Sequence, residues 1–122
     1  MQRIVRAFPV IPGQEQAVEN LAREMSTTRA ADAAAFYRKL GVAHECWFAQ
    51  HTAHGMMVIA ITEIADRPVD IVAAEYAESA EPFEAWFKSQ VLKVSGVDPS
   101  IAPLGPPTVC MFDYPAQHAN VS

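Results

Sequence analysis

The chain has 122 residues, 51% of them apolar and 19% charged, with a formal net charge of −5 and a pI near 5.2. That length supplies one core and argues against a second independent one. The nine lysines and arginines are scattered, which argues against a nucleic-acid partner, since binding phosphates takes clustered cations.

So apolar a composition in so small a domain favours burying surface between copies, and a homodimer is the expected state. Seven acids between Glu63 and Glu84 face one base, Arg67. They read as a solvated helix face or, alternatively, as an acidic docking surface. The longest apolar run, Met56 to Ile61, is too short to span a bilayer, so no membrane partner is expected. No targeting segment shows in the first residues, and two cysteines, Cys46 and Cys110, make no disulfide framework. The expected compartment is the cytoplasm.

The first strand is expected over about Arg3 to Val10, ended by Pro12-Gly13. A helix follows from Gln14, with Ala17, Val18, Leu21, Ala22 and Met25 at helical spacing. Ser26-Thr27-Thr28 interrupts it, because these side chains favour caps over helix interiors. A second helical piece, Ala30 to Leu40, carries Ala33, Phe36, Tyr37 and Leu40 on one stripe, with Gly41 as its cap.

Strands over His44 to Thr52 and Met56 to Ile64, linked by Ala53-His54-Gly55, form a hairpin. Pro68 opens a helical region, and Pro82 forces a fresh helix start that ends at Gly96. Asp98 to Pro107 holds four prolines and must be loop. The last strand is expected over Thr108 to Tyr114 (TVCMFDY), leaving residues 1–115 as one domain and 116–122 as a flexible tail.

The order β, α, β, β, α, β is the split βαβ arrangement. It predicts an α+β ferredoxin-like fold: a four-stranded antiparallel sheet, first and third strands central, helices on one face. Polarity assigns Val5, Ala7, Cys46, Phe48, Val58, Ala60, Cys110 and Phe112 to the helix-covered face. The opposite face then carries Ile4, Arg6, Phe8, Glu45, Trp47, His51, Met57, Ile59, Ile61, Met111 and Asp113. That face is too apolar for water and suits the sheet of a second subunit.

With the runs FYRKLGVAHECWFAQHTAHGMMVIAITEI, FEAWFKSQVLKVSGVD and TVCMFDY, the chain resembles an uncharacterised bacterial family of the dimeric α/β-barrel superfamily. The resemblance implies two ferredoxin-like subunits closing a shared barrel. It also implies a choice among oxygenases (cofactor-independent or haem-linked), isomerases and proteins of no known reaction. Cofactor-free oxygenases of the superfamily lean on asparagine with tryptophan. The asparagines here are Asn20 and Asn120, so that activity is carried over to no residue.

Tyr37, Trp47 and Trp86, with Tyr76, Phe83 and Phe87, could line an apolar ligand pocket, or could simply be core. Arg6, Asp113 and Glu45 share a predicted face and could bind an anion or fix the dimer as buried pairs. His44 could serve as a base near neutral pH. His51 and His54, with Cys46 and Glu45, are metal-binding side-chain types. Their spacing at a hairpin falls short of a zinc site, and no metal is assigned. There is no GxSxG elbow, phosphate-binding glycine loop, dinucleotide fingerprint or HExxH, so no cofactor is expected. The function expected from sequence is the binding of a small apolar or aromatic molecule, or else an oxygenase or isomerase acting on one.

Overall fold

A computed structural model describes residues 1–116 and 118–121. The elements are β1 (Gln2–Pro9), α1 (Glu15–Ser26), α2 (Ala30–Leu40), β2 (Val42–Thr52), β3 (Gly55–Ile64), α3 (Val69–Glu78), α4 (Pro82–Ser95) and β4 (Ala119–Val121). The fold is α+β, with one four-stranded sheet in the order β2-β3-β1-β4.

Local chemistry sets the helix ends. Ser26 Oγ and Thr27 Oγ1 donate back to the Ala22 and Arg23 carbonyls, and α1 stops there. Gly41, at φ +79°, ends α2 in the left-handed conformation that a glycine reaches without strain. Pro82 occupies the first turn of α4, behind a reciprocal capping box between Glu81 and Glu84. Glu84 is buried and also takes Lys39 Nζ at 2.6 Å, which ties α4 to α2.

The sheet is mixed, which corrects the expected antiparallel ferredoxin-like arrangement and the dimeric barrel built upon it. β1 and β2 each pair antiparallel with β3, but β4 runs parallel to β1 through Gln2–Ala119, Arg3–Asn120 and Ile4–Val121. The run Thr108 to Tyr114 is not a strand. Pro107 bridges Arg6 and Thr108 Oγ1 donates to the Val5 carbonyl, after which the chain leaves the sheet. Its period-2 texture is real, but a strand also needs an edge. The remaining edge of β1 is taken by the returning residues 119–121. A polar clasp holds that return: Arg3 donates to Asn120 at 2.9 Å and to Asp113 at 3.1 Å, and Asn120 donates to Asp113 at 3.2 Å.

All four helices pack on one sheet face. Ile4 and Ile64 from the sheet meet Leu21 of α1, Phe36 and Leu40 of α2, Val72 of α3 and Phe87 of α4 in one core. A second cluster, Val10, Val18, Met56 and Val94, continues it at one end. Strand facing differs from the expectation on two strands. Ile4, Arg6 and Phe8 of β1, and Glu45 and Trp47 of β2, point under the helices beside Val58 and Ala60 of β3. Val5, Ala7, Cys46 and Phe48 lie on the other face with Ile59 and Ile61, following the register. The polarity rule failed because the helix-covered face itself carries two ionisable side chains, Arg6 and Glu45. Sorting residues by charge therefore reversed both strands.

Candidate functional site

Between the sheet and the helices lies an apolar cavity of about 160 Å³. An engineered apolar cavity of roughly 150 Å³ takes benzene, which sets the scale of an occupant. Its walls are aromatic where the helices meet β2. The Phe36 ring centroid lies 5.1 Å from Tyr37, 5.5 Å from Tyr76 and 5.7 Å from Phe87, and Trp47 stacks on Phe87 at 6.0 Å. The floor is the sheet: Ile4, Phe8, Val58, Ala60, Thr62 and Ile64.

The proline-rich loop lines the far end. Pro99 is fully buried, and Ala102, Pro103 and Leu104 also line the cavity. Gly105 lies so close to Phe8 that an added Cβ would overlap the ring.

Two ionisable side chains of opposite sign line this space, Arg6 and Glu45. The Arg6 guanidinium is buried and donates through Nη1 to the Val5 and Val121 carbonyls, on the β4 side of the sheet. Glu45, on β2, receives two side-chain hydrogen bonds. Trp47 Nε1 donates to Oε2 at 2.9 Å, and Thr62 Oγ1 donates to Oε1 at 2.5 Å. Those two bonds favour the carboxylate, but loss of water outweighs them, and burial pushes the Glu45 carboxyl up to about 7. Burial likewise raises the Tyr37 and Tyr76 phenols, and the charge of Glu45 raises both further.

A bulge makes this placement possible. The β2 register slips between Val42 and His44, so Val42 and Glu45, three apart, both face inward. Glu45, Tyr37, Val42 and Trp47 also line an open groove of about 630 Å³ running along α1, α2 and β2. Glu45 thus lines both the apolar cavity and the more open groove.

Of the residues singled out in the sequence, Arg6, Tyr37, Trp47 and Glu45 meet at the cavity, with Tyr76 and Phe87. Trp86 does not; it packs against Phe83 and carries the Arg29 guanidinium over its ring at 3.7 Å. His44 is exposed on the wall of the outer groove, and His51 and His54 are exposed at the hairpin. Arg6, Asp113 and Glu45 do not form one cluster, because Asp113 pairs with Arg3. Among the described residues no group of three or more His, Cys, Asp or Glu side chains could hold a metal ion. Both cysteines are free, and no helix among the described residues is long and apolar enough to cross a membrane.

Sequence reasoning passed over Thr62. A threonine at an inward position of the mostly apolar run MMVIAITEI was the available signal, since a buried hydroxyl needs a partner.

No family model matches the chain, and comparison with curated proteins and with solved structures gives no match.

Proposed function

We propose that this protein is a homodimer that binds a small apolar or aromatic molecule in the cavity between its sheet and its helices. The observation that carries the reading is the apolar space itself, bounded by Phe36, Tyr37, Trp47, Tyr76 and Phe87. Natural cores fill such space, and an apolar pocket with a few convergent polar groups is the usual form of a small-molecule site. Glu45 and Thr62 supply the polar groups that orient a bound ring.

Self-association is supported by the bare sheet face and by apolar side chains left in solvent. Phe48 lies on that face, while Met111 (95% exposed), Phe112 (85%) and Tyr114 (84%) project from the run before β4. Neither nucleic acid nor membrane is part of the reading, for the charge and length reasons given above.

The test uses Trp86→Phe, which leaves Trp47 as the sole tryptophan, in the cavity wall. Titration with indazole, an aromatic bicycle of about the cavity's size, is expected to change Trp47 emission saturably. Ala60→Leu, which adds bulk to the cavity floor, is expected to weaken that binding at least tenfold while the protein stays folded. Emission that responds linearly, with no saturation and no effect of Ala60→Leu, would remove the binding reading.

A further inference from the structure

We propose that Glu45 is a general base that removes a proton from carbon in a small planar substrate held in the cavity. The proposal rests on the reading of the cavity as a binding site and adds to it a reaction and a substrate class.

Position comes first. Glu45 is the one carboxyl lining the cavity among the described residues, and its two oxygens are held separately by Trp47 Nε1 and Thr62 Oγ1. A carboxylate can accept about four hydrogen bonds, so each oxygen keeps a lone pair after those two. The side chain is therefore fixed in orientation without being used up, which is what a base needs. Either oxygen can take a proton on its remaining lone pair while still accepting its present hydrogen bond.

Placement on the walls of both spaces supplies the second condition. The substrate side is apolar and aromatic, whereas the groove along α1 and α2 is open, so the carboxyl can exchange its proton with water between turnovers.

The surroundings agree on every side. Tyr37 comes from α2 and Tyr76 from α3, both lining the cavity and both sensing the charge of Glu45. Arg38 of α2 and His44 of β2 line the groove, and Cys46 sits next along the strand. α1 contributes Ala22, Met25 and Ser26 to the groove, and α4 contributes Phe87 to the cavity, none of them charged. Arg6 lines the cavity two strands away on β1. A carboxyl whose ionisation falls near neutrality is half ionised at working pH yet basic enough to take a proton from carbon.

The substrate this suits is a small unsaturated ring with a C–H next to a carbonyl. The C–H bond breaks, an O–H bond forms on Glu45, and the electron pair moves to the carbonyl oxygen as an enolate. A phenol, Tyr37 or Tyr76, can donate to that oxygen. Return of the same proton to a carbon further along the conjugated system moves the double bond. Nothing is oxidised or reduced, and no cofactor is consumed.

The probe is 5-nitrobenzisoxazole, on which a base removes the ring C–H proton while the N–O bond opens. The electron pair ends on the phenolate oxygen of the coloured nitrile product. Binding is read in parallel with 5-nitroindazole, which has the same ring frame and does not react. The intact protein is expected to open the probe with saturation, at a rate rising through a single ionisation near pH 7. Glu45→Gln is expected to cut the rate by at least about 100-fold, the lower range for general base catalysis, while 5-nitroindazole still binds. Thr62→Val removes a hydrogen bond that favours the carboxylate, so it should move the rate profile to higher pH. Saturable binding of 5-nitroindazole without ring opening, or ring opening unchanged in Glu45→Gln, overturns the base and leaves the binding site standing. No saturable binding removes the site and the base together.

Discussion

Glu45 is held in place at some cost to the fold, and the cost has a sign that pH reveals. Its carboxyl titrates near 7 in the folded chain against 4.5 in the open chain. Between those values the folded state holds more protons than the unfolded state, so stability from this group is full at low pH and falls as pH rises through the window. The interval corresponds to about 2–3 kcal/mol after a discount for the partly exposed side chain. Glu45→Gln keeps the shape and removes the titration. Relative to the parent, the variant is expected to gain about 2 kcal/mol on going from pH 5 to pH 8, read by urea unfolding at each pH. A difference between the two proteins that does not change with pH would mean that Glu45 ionises freely. Arg6 and Glu45 are also where sequence reasoning went astray. Each is a charged residue on a core-facing position, and alternation by polarity places such residues outside. Tyr37 was legible because an aromatic residue on the apolar stripe of a helix points inward whatever its role, whereas Trp47 was named as a pocket candidate but placed on the wrong sheet face with Glu45.

Among the elements, the ends of α1, α2 and α4 were legible almost to the residue, because they are written in side chains that cap or break: Ser26-Thr27, Gly41, Pro82 and Gly96; the end of α3 at Glu78 was not. The last strand was not. TVCMFDY has the texture of a strand, yet pairing depends on which edge is open, and local pattern is silent on that. The clasp of Arg3, Asp113 and Asn120 joins residues more than a hundred positions apart, beyond any local signal. The proline-rich loop matters more than its composition suggested, since it lines the cavity. Gly105 lets that loop approach the sheet: it sits at φ +78° and directly against Phe8. Gly105→Ala meets both a left-handed backbone and the ring, and is expected to destabilise the protein by about 1–3 kcal/mol. In a thermal melt it should unfold several degrees lower. Gly13→Ala is the control: it too has positive φ, but it has nothing within 4 Å to meet, so it should cost less. Equal losses at both positions would separate the loop from the cavity wall.

At the scale of the whole molecule, one sheet face is packed by four helices and the other has none. The bare face presents Val5, Ala7, Cys46, Phe48, Ile59 and Ile61, and the same chain extends Val109, Met111 and Phe112 into solvent. One subunit therefore carries both a flat apolar surface and a protruding apolar run, the two parts a self-complementary twofold contact needs. The occupant most consistent with this pairing is a second copy. Ile59→Asp puts a charge near the middle of the face, paired on neither side. In a dimer it costs about 3 kcal/mol or more, on the order of a 100-fold weaker association, because the carboxylate must be desolvated. In a monomer this half-buried position still reaches water, and the charge costs less. Light scattering at micromolar concentration is expected to give a dimer for the parent and a monomer for the variant, with circular dichroism reporting whether both stay folded. Met111→Glu, far from the sheet's core, provides the same comparison if Ile59→Asp unfolds. A parent protein that scatters as a monomer, or a folded variant at either position that still pairs, would place the contact elsewhere and leave the bare face unexplained.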